Sequence, residues 1–152
     1  TLEAYFQGKK DLFGGLAMER WEKDWESYLV LHIDFSLTKY MELTDLTGQL
    51  NLFLHRWEKI YGKDEAEKTA SERLQGIILR ASEQIGKQVV VLIDEYDAPL
   101  LDSNSDTALQ QQLRNEMRKF FSPPQEVGAV SSLSLHHRHQ QVQPTEHLQR
   151  TE

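Results

Sequence analysis

The chain has 152 residues, no cysteine and a formal net charge of −7, and its 39% hydrophobic and 27% charged residues are typical of one globular domain. The lack of cysteine excludes disulfides, thiol nucleophiles and cysteine-ligated zinc, and the acidic balance with scattered Lys and Arg argues against a nucleic-acid-binding face. No apolar run is long enough to cross a bilayer and no secretory signal is present, so the sequence predicts a cytoplasmic protein.

The first residues, 1–6 (TLEAYF), resemble the middle of a helix rather than the start of a chain. We therefore expect the sequence to be cut at its N-terminus. Further on, Trp21 and Trp25 are one helical turn apart among charged residues. This spacing favours a half-buried packing pair over a partner-binding face.

Two short apolar runs predict strands at 28–34 (YLVLHID) and 88–94 (QVVVLID). The second run has five branched or aliphatic residues in succession, which is typical of a strand buried on both faces. Apolar residues at steps of three and four predict amphipathic helices at 44–61, 69–85 and 106–121. The order β, α, α, β, α predicts an α/β fold with a parallel sheet covered by helices.

The composition changes after residue 121. The segment 122–152 contains no Lys, Asp, Asn, Ile, Met, Phe, Tyr or Trp, and it holds four of the six histidines. We predict a folded domain at 1–121 followed by a disordered segment at 122–152, because such a composition cannot form a core. The four histidines suggest at most weak adventitious metal binding, since no fold would orient them; they are His136, His137, His139 and His147.

Two acids, Asp94 and Glu95, directly follow the apolar residues of the second predicted strand. Ligands of open parallel sheets bind beyond the carboxyl ends of the strands. In P-loop ATPases an Asp after four apolar strand residues, the Walker B position, holds Mg²⁺ through its water shell. An acid directly after it can orient the water that attacks the γ-phosphate. We predict Asp94 as the metal residue and Glu95 as the catalytic residue; the alternative is a solvated acidic turn after a core strand.

The segment 93–101 (IDEYDAPLL) resembles the bacterial AAA-ATPase-like family of P-loop proteins, which is often fused to a PD-(D/E)XK nuclease-type domain. Three other stretches resemble the same family, at 1–16, 28–36 and 57–62. The resemblance covers about 1–122 and implies a fragment of a three-layer P-loop sandwich. It implies Mg²⁺ and ATP as cofactors of the intact parent, with Asp94 at the metal and Glu95 at the water. Tyr96, Asp97 and Pro99 carry over only as signature residues.

The family's Gly-Lys-Ser phosphate-binding loop, called Walker A, would lie upstream of Thr1, so no residue of this chain is assigned to bind phosphate. The resemblance implies that the parent couples ATP hydrolysis to a downstream nuclease-like domain, and we expect this chain to be inactive alone. The alternative is a non-catalytic remnant that packs against a protein partner or a second copy through exposed apolar surface.

Two further groups of residues are candidate sites. His32 and Asp34 lie on one face of the first predicted strand, where we expect mainly structural roles. A cluster of carboxylates could instead bind two metals as a nuclease does, but no Lys stands two residues after a strand carboxylate. These carboxylates are Asp94, Glu95, Asp97 and Asp102.

The segment 122–152, called the tail below, is predicted to be encoded out of frame. When each residue from Leu135 to Glu152 is read as the last two bases of its codon and the first base of the next, one consistent choice of codons gives FITGISKFSQLSIFSELN. This string resembles the family's continuation, whose first part is the next sheet strand. We infer a one-base frameshift near residues 122–125. Both expected neighbours of the Asp94 strand would then be missing.

Overall fold

The computed structural model describes residues 2–22, 24–103, 105–122 and 132–136, with the backbone alone at 18 and 132–136. The strands are β1 (Leu29–Asp34), β2 (Val89–Asp94) and β3 (Ser132–His136). The α-helices are α1 (Leu2–Phe6), α2 (Ala17–Trp21), α3 (Leu43–Tyr61), α4 (Ala70–Ile85), α5 (Ala98–Asp102) and α6 (Thr107–Phe121). Short 3₁₀ helices occupy Lys10–Phe13 and Phe35–Leu37. Within the described ranges, every helix is too short or too polar to cross a membrane.

The strands form a parallel sheet in the order β1-β2-β3, so β2 is the central strand. Leu29 pairs with Val89 and Asp34 with Asp94, which fixes the register of β1 on β2. All five residues of β2 before Asp94 are buried, as the unbroken apolar run predicts. The α/β class and the parallel sheet are confirmed.

Three long helices supply most of the remaining core. Their boundaries agree with the predicted ones to within one residue. Thr69 and Glu72 form the capping box that starts α4, and Gly86 ends that helix in the left-handed conformation. The buried positions repeat at helical spacing: Leu46, Leu50 and Leu54 in α3; Leu74, Ile77 and Ala81 in α4; Leu113, Met117 and Phe120 in α6. These side chains form one core cluster with Leu31 and Ile33 of β1 and Val89, Val91 and Ile93 of β2.

Two expectations about the sheet and the tail require correction. Both positions beside β2 are occupied, by β1 and β3, whereas we expected both neighbours of this strand to be missing. Residues 132–136 (SLSLH) form a strand within the segment predicted to be disordered. Their backbone groups pair with the edge of β2, which a composition argument does not consider. The rest of 123–152 lies outside the described residues.

A buried ion pair joins α3 to α4. The Arg73 guanidinium donates to both oxygens of Glu58, at 2.6 Å from Nε and 3.0 Å from Nη2. It also donates from Nη1 to Asn51 Oδ1 at 2.6 Å. The Glu58 side chain is only 5% exposed. The hydrogen bonds from Arg73 hold the pKa of Glu58 below its ordinary value of 4.5, against the opposing effect of burial.

Because of this pair, the stability of the fold depends on pH in the acidic range. The pKa of Glu58 is lower in the folded chain than its ordinary value of 4.5, so the ionised carboxylate stabilises the fold fully above pH 4.5. This stabilisation is lost as the pH falls through the pKa that Glu58 has in the folded chain. We expect the urea midpoint to be steady from pH 7 to about pH 5 and to fall below it. Glu58→Gln should flatten this acid slope. Glu65→Gln, which removes an exposed partner of Lys63, should leave the slope unchanged; a slope unaffected by Glu58→Gln would contradict this assignment.

Candidate functional site

Three acids lie at the carboxyl ends of β1 and β2. Asp34 ends β1 and pairs in register with Asp94, which ends β2, and Glu95 follows directly. The Asp34 carboxylate already accepts a hydrogen bond from the Ser36 backbone N–H at 2.8 Å and so caps the short helix after β1. This hydrogen bond agrees with the structural role expected for Asp34, and Asp94 and Glu95 are the other acids at the ends of these strands.

Glu95 has an unusual backbone conformation. Its φ is +53°, and among the described residues it is the one non-glycine residue with a positive φ. The Glu95 carbonyl accepts from the Ala98 N–H at 2.9 Å, and the chain then enters α5 with Pro99 buried in its first turn. A residue with a Cβ is strained in this region by about 1–2 kcal/mol, and such strain is concentrated at functional sites.

Replacing Glu95 by glycine should therefore stabilise the fold. We expect Glu95→Gly to raise the free energy of unfolding by about 1 kcal/mol, because glycine adopts a positive φ without steric cost. Glu95→Gln keeps the Cβ and should change stability by less than about 0.5 kcal/mol. Urea unfolding of the three proteins measures both effects. A glycine variant less stable than the glutamine variant would show that no strain is stored at this position.

A histidine lies between two carboxylates at the same edge. His32 Nε2 is 3.9 Å from Asp94 Oδ2, and His32 Nδ1 is 3.8 Å from Glu3 Oε2 of α1. Both distances are too long for hydrogen bonds. His32 Nε2 and Asp94 Oδ1 are buried and have no hydrogen-bond partner within the described part of the chain. Unpaired buried polar atoms cost about 1–3 kcal/mol each, so their presence at this edge needs an explanation.

The unpaired oxygen of Asp94 fits the requirements of magnesium. Mg²⁺ prefers hard oxygen ligands, keeps several waters and is bound in nucleotide sites by one or two carboxylates together with phosphates. Asp94 supplies one such carboxylate, with an oxygen that nothing else in the described structure satisfies. The described residues hold no group of three or more His, Cys, Asp or Glu side chains that could bind a metal by themselves. A metal at Asp94 would therefore need ligands such as phosphate oxygens and water.

The other candidate residues are placed elsewhere. Asp102 accepts from Lys39 Nζ at 3.0 Å and from the Tyr40 N–H at 3.2 Å, so it ties α5 to the loop after β1. The carboxylate cluster expected of a two-metal nuclease is thus not formed by the described residues. Tyr96 packs against Phe121, with ring centroids 6.2 Å apart. The side chains of the four tail histidines lie outside the description.

The two tryptophans do not form the predicted pair. Trp21 is the last residue of α2 and is 81% exposed, while Trp25 lies beyond that helix and is partly buried. The prediction assumed one continuous helix, but α2 ends at Trp21. Trp25 packs instead against Tyr5 and Phe13, at centroid distances of 5.7 and 5.2 Å.

The fold and this edge define an α/β protein whose central parallel strand carries an acidic pair at its carboxyl end. A family model for AAA-ATPase-like proteins, described as "Predicted AAA-ATPase", matches residues 1–133. The chain belongs to this family, which confirms the resemblance of the sequence motifs.

The chain is also similar to a protein of Azotobacter chroococcum mcd 1 described as "Uncharacterized protein in vnfD 5'region". The two are 32% identical over 124 residues, which are 80% of this chain and 24% of the relative. The chain thus spans about a quarter of the length of this curated relative. No solved structure gives a significant match.

Proposed function

We propose that the chain is part of a P-loop ATPase sandwich and supplies the magnesium side of its nucleotide site. The observation that carries this proposal is the end of β2, where a fully buried strand delivers Asp94 and Glu95 to the carboxyl edge of a parallel sheet. The buried, unpaired Asp94 oxygen and the strained Glu95 backbone support it. We call the longer protein in which these residues would act the parent.

Asp94 and Glu95 have different roles in this proposal. Asp94 would hold Mg²⁺ through its water shell, and the ion would supply positive charge beside the phosphates of ATP. Glu95 accepts a hydrogen bond from the attacking water and orients it toward the γ-phosphate. Its fixed backbone conformation limits the positions that its carboxylate can take. The catalytic contribution is therefore positioning and acceptance of a proton, without a covalent intermediate.

The 152 residues contain no Gly-x-x-x-x-Gly-Lys motif, so a polypeptide of these residues alone has nothing to surround the phosphates. We expect it to show no magnesium-dependent ATP turnover above the buffer rate. Phosphate release from the purified polypeptide with Mg²⁺ and ATP measures this. Turnover that Glu95→Gln abolishes would contradict the expected inactivity and would support hydrolysis by this chain itself.

The biological setting is also a proposal. The family resemblance supports a cytoplasmic, bacterial parent that passes the conformational change of ATP hydrolysis to a nuclease-like domain. The competing proposal is a non-catalytic remnant that binds a protein partner. Exposed apolar side chains favour that alternative; the largest exposures are those of Trp21, Met41, Leu12, Ile60 and Leu101.

We further propose that the segment after residue 121 is encoded out of frame. The family match ends at residue 133, two residues before the position where the shifted reading begins to resemble the family. Nucleotide sequencing of the encoding DNA tests this directly. A neighbouring frame that encodes the FITGISKFS phrase supports the frameshift, and its absence from both neighbouring frames would rule it out.

A further inference from the structure

A cavity of about 220 Å³ lies at the amino end of β1, whereas Asp94 and Glu95 lie at the carboxyl edge of the sheet. The described residues that line it are aromatic or acidic: Tyr5, Glu22, Asp24, Trp25, Glu26 and Tyr28. Neither the nucleotide chemistry nor the family match assigns a role to this cavity.

The aromatic wall is held in place by edge-to-face contacts. The Tyr5 and Trp25 rings are 5.7 Å apart and inclined by 67°, so they form a corner. Phe13 supports both rings, at 6.3 Å from Tyr5 and 5.2 Å from Trp25. Phe6 packs against Tyr28 at 6.0 Å. Aromatic faces attract cations, and a set of fixed rings around a small cavity is the arrangement that recognises ammonium groups.

The hydroxyl groups of Tyr5 and Tyr28 orient two of the acidic side chains. Tyr5 donates its hydroxyl hydrogen to Glu22 Oε2 at 2.6 Å, and Tyr28 donates to Glu26 Oε2 at 2.8 Å. The bond to Glu22 and burial raise the pKa of Tyr5, so its phenol stays a donor. The Asp24 side chain makes no hydrogen bond or ion pair with the other described residues. Three carboxylates thus share one cavity without a described cation.

The indole N–H of Trp25 has no described hydrogen-bond acceptor. Trp25 lines the cavity, and its Nε1 is buried without a partner in the described part of the structure. An indole N–H is a donor only, so it requires an acceptor. Lys87 Nζ, a nearby cation, donates to Ser27 Oγ at 3.0 Å and contacts none of the three carboxylates. Among the described residues, the cavity therefore has no cation beside its carboxylates and no acceptor bonded to the Trp25 N–H.

We propose that this cavity binds an alkylammonium group whose molecule also carries a hydrogen-bond acceptor at the other end of the alkyl chain, as a lysine residue of a polypeptide does. The ammonium lies against the Tyr5 and Trp25 rings and between the carboxylates of Glu22 and Glu26. The acceptor, a peptide carbonyl in the case of lysine, receives the Trp25 N–H. Binding is noncovalent and does not depend on the proposed ATPase activity, so either proposal can fail while the other stands.

The test is an NMR titration of the full 152-residue chain, followed at the Trp25 indole resonance, which Trp25→Phe identifies. The probes are N-acetyl-lysine methylamide, butylamine and N-acetyl-norleucine methylamide. The first has both ammonium and carbonyl groups, the second lacks the carbonyls, and the third lacks the charge. The same titration is repeated on the Lys23→Gln variant. This variant lacks the ammonium group of the segment itself, which could compete with the probes.

We expect the capped lysine to shift the Trp25 resonance saturably and the norleucine analogue to cause no saturable shift. Weaker binding of butylamine would support a polypeptide lysine whose carbonyl receives the Trp25 N–H, and equal binding would overturn that contact and leave a free amine as the source of the ammonium. Glu22→Gln with Glu26→Gln keeps an acceptor for each tyrosine and should weaken binding about tenfold. Glu65→Gln with Glu116→Gln removes the same charge elsewhere and should not. Equal affinity for norleucine, or unchanged affinity in the Glu22/Glu26 variant, would overturn the proposal.

Discussion

In the parent, Glu95→Gln is expected to lower kcat for ATP hydrolysis by about 100-fold or more, because a positioned general base typically contributes 10²–10⁴-fold. Glutamine is nearly isosteric but a poor proton acceptor. It keeps the backbone strain at this position, so the fold should be unchanged. Affinity for ATP should change little, since Glu95 acts on the water rather than on the nucleotide. Steady-state kinetics and nucleotide binding measure the two effects separately.

The matched control is Asp102→Asn, which removes another acid from the segment after β2. Asp102 binds Lys39 and Tyr40, so its loss should affect stability and leave kcat within about threefold. Equal losses of kcat in the Glu95 and Asp102 variants would point to a general structural effect. A Glu95→Gln variant with full activity would remove Glu95 from the reaction.

Arg73→Met is expected to destabilise the fold by about 3 kcal/mol, because it leaves the Glu58 carboxylate buried without its partner. Glu58 is 5% exposed and receives two hydrogen bonds from Arg73, which methionine cannot replace. Urea unfolding at pH 7 measures the loss. The double variant Glu58→Met with Arg73→Met should regain most of the stability, since replacing both members of a buried pair by apolar residues is often nearly neutral.

Arg80→Met supplies a second comparison. Arg80 also binds a carboxylate with two hydrogen bonds, but its partner Glu67 has a side chain that is 14% exposed and keeps more contact with water. We expect a smaller loss than for Arg73→Met. An Arg73→Met variant that loses less than about 1 kcal/mol would show that the Glu58 charge is compensated by water or other groups.

Local sequence patterns predicted the elements that position the site. The apolar run of β2 and the helical spacing of α3, α4 and α6 fixed their type and their limits to within one residue. The capping box at Thr69 and the stop at Gly86 are local interactions, so they could be recognised without tertiary structure. The position of Asp94 and Glu95 at the carboxyl edge follows from the same local pattern.

Features that depend on tertiary contacts were not predictable in this way. His32, Glu3 and Asp94 come together only through the register of β1 on β2 and the placement of α1. The Tyr40 contact with Asp102 joins residues 62 positions apart. The positive φ of Glu95 lacks the usual signal of glycine or asparagine. The end of α2 at the exposed Trp21 could not be predicted, because no glycine follows it as a stop signal.

In the proposed ATP site, β2 delivers Asp94 and Glu95 to the magnesium side. The most direct measurement is a crystal structure of the parent with Mg²⁺ and a non-hydrolysable ATP analogue. We expect the Asp94 carboxylate to contact the metal or its water shell, and Glu95 to contact the water in line with the γ-phosphate. A nucleotide bound away from the carboxyl edge of β2, with neither acid near the metal or the water, would contradict the account.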